Sequence, residues 1–213
     1  MTNLTEELQK KNSNYNIGTT LMYAREAFSQ ADLGEMIKNG GFTPHEKGFT
    51  VSFIDHEYLV EYPAGIITEL ENGAQIPDNV QVLILHHAVK ALGSPLWENK
   101  ISYKELPGGD IYIDPFTGRC IRPLAGIFAA NLPALQKAAE SCRSQKEKLG
   151  DLSYTIQVLP KVPITLIVYE ADDEFPANGN ILFNGAAAQY LTTEDYAVLC
   201  SVLISRLKKI AFA

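Results

Sequence analysis

Two hydrophobic spacings alternate along this chain and divide it into helical and extended blocks. Leu21, Ala24, Ala27, Phe28 and Ala31 recur at helical spacing and predict a helix over residues 20–31. A short second helix over 32–38 is stopped by Asn39-Gly40-Gly41. The period then changes to two. Phe49, Val51 and Phe53 alternate with Thr50 and Ser52, and Tyr58, Val60 and Tyr62 with Leu59 and Glu61. A third strand follows over 66–70. The joints are short, with Asp55-His56 as the first turn and Asn72-Gly73 as the last, so an antiparallel meander is expected.

Asp78 is placed to cap the next element, over 80–92. Its opening residues, VQVLIL, read equally as a strand; Val82, Leu85, Val89 and Leu92 keep helical spacing and Gly93-Ser94-Pro95 is a stop, so a helix is expected. Residues 101–103 are extended, and Leu106-Pro107-Gly108-Gly109 is a loop. Helices are predicted over 115–130, with Pro123 as a break, and over 133–149, ended by Gly150. Alternation returns at Leu152, Tyr154, Ile156 and Val158. The largely apolar run from Ile164 to Tyr169 suits a central strand covered on both faces, and 181–183 is a short strand. Thr192-Thr193-Glu194-Asp195 has the form of a capping box. The apolar stripe Tyr196, Leu199, Cys200, Leu203, Leu207 and Ile210 follows it and marks a long last helix. Blocks of strands alternate with blocks of helices, so the expected class is α+β with a mostly antiparallel sheet, in strand blocks 49–70 and 152–183. One such domain over 17–213 is expected, behind a loosely held segment 1–16.

Composition narrows the function classes. The chain has 213 residues and a formal net charge of −7, with no basic stripe to displace counterions from phosphates. Nucleic acid and anionic membrane surfaces are therefore not expected partners; a small molecule or a protein is. The start of the chain lacks the form of a signal peptide, and no apolar run approaches the ~20 residues that span a bilayer. The three cysteines, Cys120, Cys142 and Cys200, are far apart and contain no C-x-x-C, so no metal or disulfide framework is read from them. Buried reduced thiols in a cytoplasmic protein are the expectation.

The candidate chemistry lies in three places, each with a plainer reading. His86 and His87 are adjacent and point about 100° apart on a helix, so they are not an i, i+4 ligand pair. His86 is the candidate of the two, against the plainer role of a hydrogen-bonded helix histidine. His45 and His56 fall in expected loops and are read as exposed. Asp172, Asp173 and Glu174 follow the central strand, where carboxylates can hold a ligand or merely form a solvated turn. Gly108 and Gly109 allow a ligand close to the backbone or simply make a tight turn, and neither phosphate-loop pattern accompanies them. No nucleophile elbow or kinase pattern occurs. Trp97 is read as a packing residue.

Three stretches together carry a family resemblance: LILHH with LGSPL, ISYKELPGGDIY, and LPKVPITLIVYEADDEFP with ILFN and YLTTED after it. They resemble the prokaryotic domain-of-unknown-function family 3786, from about Phe49 to the last helix. The resemblance implies an anaerobic bacterial or archaeal setting near one-carbon and corrinoid metabolism. Some members carry a four-cysteine iron–sulfur module; this sequence does not, so electron transfer is not implied. His87 stands where the resemblance leads one to expect an aromatic residue, and Asn184 where it leads one to expect Asp. No activity or cofactor follows from it. The leading expectation is a ligand- or cofactor-binding accessory protein. The alternatives are an enzyme whose site joins Gly108, Gly109, Asp172, Asp173, Glu174 and His86, or a protein-interaction domain.

Overall fold

The computed structural model describes the backbone from Asn3 to Ala213 and side chains from Ile17 onward. The segment 1–16, expected to be loosely held, lies outside the residues whose side chains are described. Helix α1 (Asn3–Gln30) presents Leu21, Ala24 and Phe28 to the core, as its spacing predicts. Helix α2 (Leu33–Gly40) is capped by Asp32, whose carboxylate accepts from the Glu35 N–H at 2.8 Å, and it ends on Gly41 at φ 72°.

The first sheet is a meander of β1 (Thr43–His45), β2 (Gly48–Phe53), β3 (His56–Glu61) and β4 (Ile66–Glu69), antiparallel throughout and in sequence order. The β2–β3 turn is Ile54-Asp55, one residue earlier than Asp55-His56. Ile54 sits at φ 57°, a region that β-branched residues rarely adopt. Two interactions hold it there. Its side chain is buried, and its N–H donates to the Val158 carbonyl of the second sheet at 2.8 Å.

Helix α3 (Asp78–Lys90) follows, with VQVLIL buried almost all round. That explains why periodicity alone left helix and strand equally open there. Asp78 is the first helical residue rather than the cap. Inside that first turn, the buried Gln81 amide donates to the Ile76 carbonyl at 2.9 Å and accepts from Arg25 at 2.8 Å.

The second sheet has the order β5-β9-β8-β7-β6, all antiparallel. Its strands are β5 (Lys100–Ser102), β6 (Ser144–Lys146), β7 (Leu152–Leu159), β8 (Val162–Tyr169) and β9 (Asn178–Asn184). The continuous apolar strand, β8, is central and almost wholly buried.

Two helix expectations are corrected here. The run 115–130 forms α4 (Ile113–Phe116) and α5 (Arg122–Phe128), joined by a π turn over Thr117–Ile121. Pro123 sits at the start of α5, where its missing N–H is tolerated, and the wide turn ahead of it absorbs the break. The run 133–149 is helical only in α6 (Leu132–Glu140). Past Ala139 there is no apolar stripe to bury. Ser141 and Ser144 hydroxyls donate to the Ala138 and Ala139 carbonyls at 2.8 and 2.6 Å, and the chain turns into β6.

Helix α7 (Thr193–Ala211) closes the fold, packing on α3, α5 and α6. One continuous buried cluster takes in side chains of both sheets and these helices. Near its C-terminal end, Arg206 makes a forked ion pair with Asp55, with Nε and Nη2 within 2.6–3.0 Å of the carboxylate. Nη2 also lies 2.6 Å from His56 Nε2, while His56 Nδ1 lies 2.7 Å from Glu69. Arginine donates only, so Nε2 accepts from it and the Nδ1–H donates to Glu69. His56 is therefore a partly buried link in this network rather than an exposed loop residue. No helix among the described residues is long and apolar enough to cross a membrane.

Two outcomes follow for stability. Arg206→Met leaves the mostly buried Asp55 carboxylate without its fork, and is expected to cost roughly 2 kcal/mol in urea unfolding. His87 is fully buried between Phe42 and Tyr190, and neither ring nitrogen has a hydrogen-bond partner among the described residues. Burial, aided by the Lys161 charge, pushes its pKa down to about 3. His87→Phe should therefore stabilise the fold by about 1 kcal/mol at pH 7. Below pH 6.5 the unfolded histidine takes up a proton that the folded one refuses until about pH 3. The wild type thus loses up to about 1.4 kcal/mol per pH unit that the variant keeps, and urea midpoints at pH 7 and 5 measure the widening gap.

Candidate functional site

Helices α3 and α7 pack together, and the first turn of α7 brings Asp195 against α3. Thr192 is the N-cap. Its Oγ1 accepts from the Asp195 N–H at 3.2 Å, and the Asp195 Oδ2 accepts from the Thr192 hydroxyl at 2.6 Å and its N–H at 3.1 Å. This reciprocal cap uses one carboxylate oxygen. The other, Oδ1, lies 2.7 Å from His86 Nδ1, and Lys90, one turn along α3, brings its ammonium to 3.9 Å of Oδ2.

Asp195 is almost fully buried. Burial opposes its ionisation, but the hydrogen bonds from His86 and Thr192 outweigh burial and hold its pKa below the usual 3.8. An ionised carboxylate only accepts, so the Nδ1 of His86 carries the proton. In the neutral imidazole the opposite nitrogen, Nε2, then bears a lone pair. The His86 side chain is a quarter exposed and lines a cleft of about 800 Å³. Ile17 of α1, Val82 and Leu83 of α3, and Leu191 and Val198 from around α7 give the cleft its apolar walls. Asn79, His86, Lys90, Thr193 and Glu194 are among its polar ones.

The arrangement joins a basic nitrogen held in one tautomer to a nearby ammonium. The Thr193 hydroxyl is already donated to the Pro107 carbonyl at 2.7 Å. Cys120 and Cys200 are buried, and burial raises the pKa of both thiols. Proton transfer and ligand binding are within its chemistry.

The sequence candidates are distributed over separate places. His86 is in this cleft. Asp172 lines a different cleft, of about 930 Å³, with Asp114, Asp151 and Glu170. Its Oδ1 accepts from the backbone N–H groups of Glu174 and Phe175 at 2.9 and 2.6 Å, which hold its pKa down, so it fixes its own turn. Asp173 and Glu174 are exposed and line neither cleft. Gly108 sits at φ 72°, and a Cβ on Gly109 would lie 1.8 Å from the Tyr103 carbonyl oxygen. These glycines fold the loop onto the turn at Tyr103–Glu105, and the loop meets the His86 cleft only through Pro107. Among the described residues no three His, Cys, Asp or Glu side chains are grouped to hold a metal ion. Trp97 is half exposed rather than packed; its backbone is clamped by the Asn184 amide, which accepts from the Trp97 N–H at 2.9 Å and donates to its carbonyl at 2.7 Å.

Sequence reasoning missed Asp195 and Lys90. Lys90 stands four residues after His86, so it shares the same helix face, a signal present in the sequence. Asp195 was legible only as a cap; its second bond reaches across 109 residues.

Asp195→Asn is expected to destabilise the fold by roughly 2 kcal/mol at pH 7, through the weakened cap and histidine pair. A carboxyl whose folded pKa is depressed contributes above its unfolded value of 3.8 and loses that contribution as the pH falls further. Wild type and variant should therefore differ in urea midpoint above pH 4 and converge below it. A gap that persists at pH 3 would show that the carboxylate charge is not what is lost.

No curated protein and no solved structure matches the chain significantly. A family model does match, over residues 32–206, and so takes in the meander, both sheets, the His86 helix and most of α7. The chain belongs to that family, the Domain of unknown function DUF3786.

Proposed function

We propose that this chain binds a small polar molecule in the cleft over His86, as an accessory protein of anaerobic one-carbon or metallocofactor metabolism. One observation carries the binding half: a buried, ionised Asp195 fixes the His86 tautomer and aims a lone pair at a cleft of ligand size. Lys90 complements it with a donor, so the two side chains suit a ligand that bears a hydroxyl or amine beside an anionic group. The metabolic setting rests on the family resemblance alone. The acidic balance, −7 overall, favours a small molecule over nucleic acid, and three unpaired thiols fit a reducing cytoplasm. A catalytic reading is favoured by the same tautomer lock, because an imidazole whose Nδ1–H is tied to a carboxylate is built to accept a proton at Nε2.

The test is a thermal-shift screen of small hydroxy acids, amino acids and phosphates, backed by native mass spectrometry of protein purified without oxygen. A compound that binds at a hundredfold excess over Kd stabilises the fold by about 2.7 kcal/mol. The expected result is one chemical class that stabilises the wild type and loses at least tenfold in affinity with His86→Ala or Lys90→Ala. Equal binding to these variants would place the ligand elsewhere and sink the proposal. Conversion of the bound compound, abolished by His86→Ala, would make the protein an enzyme.

A further inference from the structure

A second, smaller cavity opens beside the His86 cleft, with a volume of about 270 Å³. The two share Pro107, Thr193 and Glu194, so they are neighbours around the first turn of α7. Its walls are aromatic. Tyr103 and Phe116 are stacked face to face, with ring centroids 3.8 Å apart and planes 6° from parallel, and both are buried. The Tyr103 hydroxyl donates to the Thr193 carbonyl at 3.3 Å, which ties this wall to α7. Tyr112 stands at the rim, more than half exposed.

Two charges line this cavity, Arg119 and Glu194. Neither takes part in an ion pair or side-chain hydrogen bond among the described residues, with each other or with any third group. Arg119 belongs to the π turn, a feature frequent at functional sites. The next residue, Cys120, is buried and donates its thiol to the Ala197 carbonyl at 3.4 Å, which leaves Arg119 on the outer side. Ala197 is the small residue of α7 that lines the cavity.

A volume below the ~300 Å³ of whole-ligand sites fits one flat ring system rather than a complete ligand. Aromatic walls favour a ring over an aliphatic chain, through stacking and edge contacts. Arg119 and Glu194 are both exposed at this cavity and can offer, respectively, a donor and an acceptor to the ring edge. We infer that this cavity binds a planar heteroaromatic ring with a lactam-type edge, a carbonyl beside an N–H, as nucleobases and flavins carry. The carbonyl faces Arg119 and the N–H faces Glu194. The inference extends the reading of the His86 cleft, which would take the polar remainder of the same molecule, but the ring pocket stands on its own walls.

The test is calorimetric titration with guanosine and riboflavin, and with quinoline as a flat ring that has no N–H beside its acceptor. At least one of the two lactam rings should bind the wild type, and quinoline at least tenfold more weakly. Tyr112→Ala removes an exposed wall, and Ala197→Leu fills the cavity; each should weaken lactam binding tenfold or more. Arg119→Gln and Glu194→Gln should shrink the preference over quinoline. Tyr112→Ala alters an exposed side chain, so it stays informative if Ala197→Leu fails to fold. The bare rings guanine and lumichrome, which carry no polar remainder, should keep the preference over quinoline in the wild type, so loss of the cleft proposal and loss of this one are separable. The inference is overturned if neither lactam ring binds the wild type, if Tyr112→Ala binds as well as the wild type, or if quinoline binds equally.

Discussion

The structure depends on how the Ile54-Asp55 turn is held. Two sheets with no shared strand must be kept in register with each other. The bond from the Ile54 N–H to the Val158 carbonyl joins the tip of one to the end of a strand in the other. It requires an isoleucine in the left-handed region, a conformation that costs of order 1 kcal/mol or more and persists only where the surroundings over-determine it. The surroundings do so twice, by burying the side chain and by clamping the next residue, Asp55, with Arg206. That fork fixes the C-terminal end of α7 to the first sheet.

The other end of α7 is fixed by the Thr192–Asp195 cap, and the cap is also the site. With both ends of one helix held, its buried stripe sets its depth against α3, and the Asp195 carboxylate reaches His86 without further adjustment. The carboxylate is shared between a structural task and a chemical one. Oδ2 closes the cap and Oδ1 orients the imidazole, so neither oxygen is left unsatisfied in a nearly dry environment. A site built this way is as rigid as the helix that carries it.

The legible parts of the fold were those set by local spacing. The meander, the buried β8 and the capped α7 follow from alternation, an apolar run and a four-residue cap pattern. The misread parts were set by partners distant in sequence. Residues 141–149 carry helix-compatible side chains, but β7 offers a strand edge, and Ser144, Gln145 and Lys146 pair with Ile156, Thr155 and Tyr154. The candidate site was legible in His86 and not in Asp195, because a cap residue looks the same whether or not its free oxygen has a second partner. The Gly108-Gly109 pair was a true signal of close backbone approach; what approaches it is the chain's own Tyr103 carbonyl.

The two adjacent histidines show how placement divides chemistry. A helix turns them about 100° apart, which is enough to put one at a cleft and the other in the core. His86 has a carboxylate partner and partial exposure. His87 has aromatic neighbours and no hydrogen-bond partner among the described residues, so only its neutral form is tolerated. The aromatic residue that the family resemblance leads one to expect at this position would fill the same space between Phe42 and Tyr190 without a desolvated nitrogen. The polar atoms of His87 thus burden the core, while His86 bonds Asp195 through Nδ1 and lines the cleft, and function is to be sought on the face of α3 that meets α7.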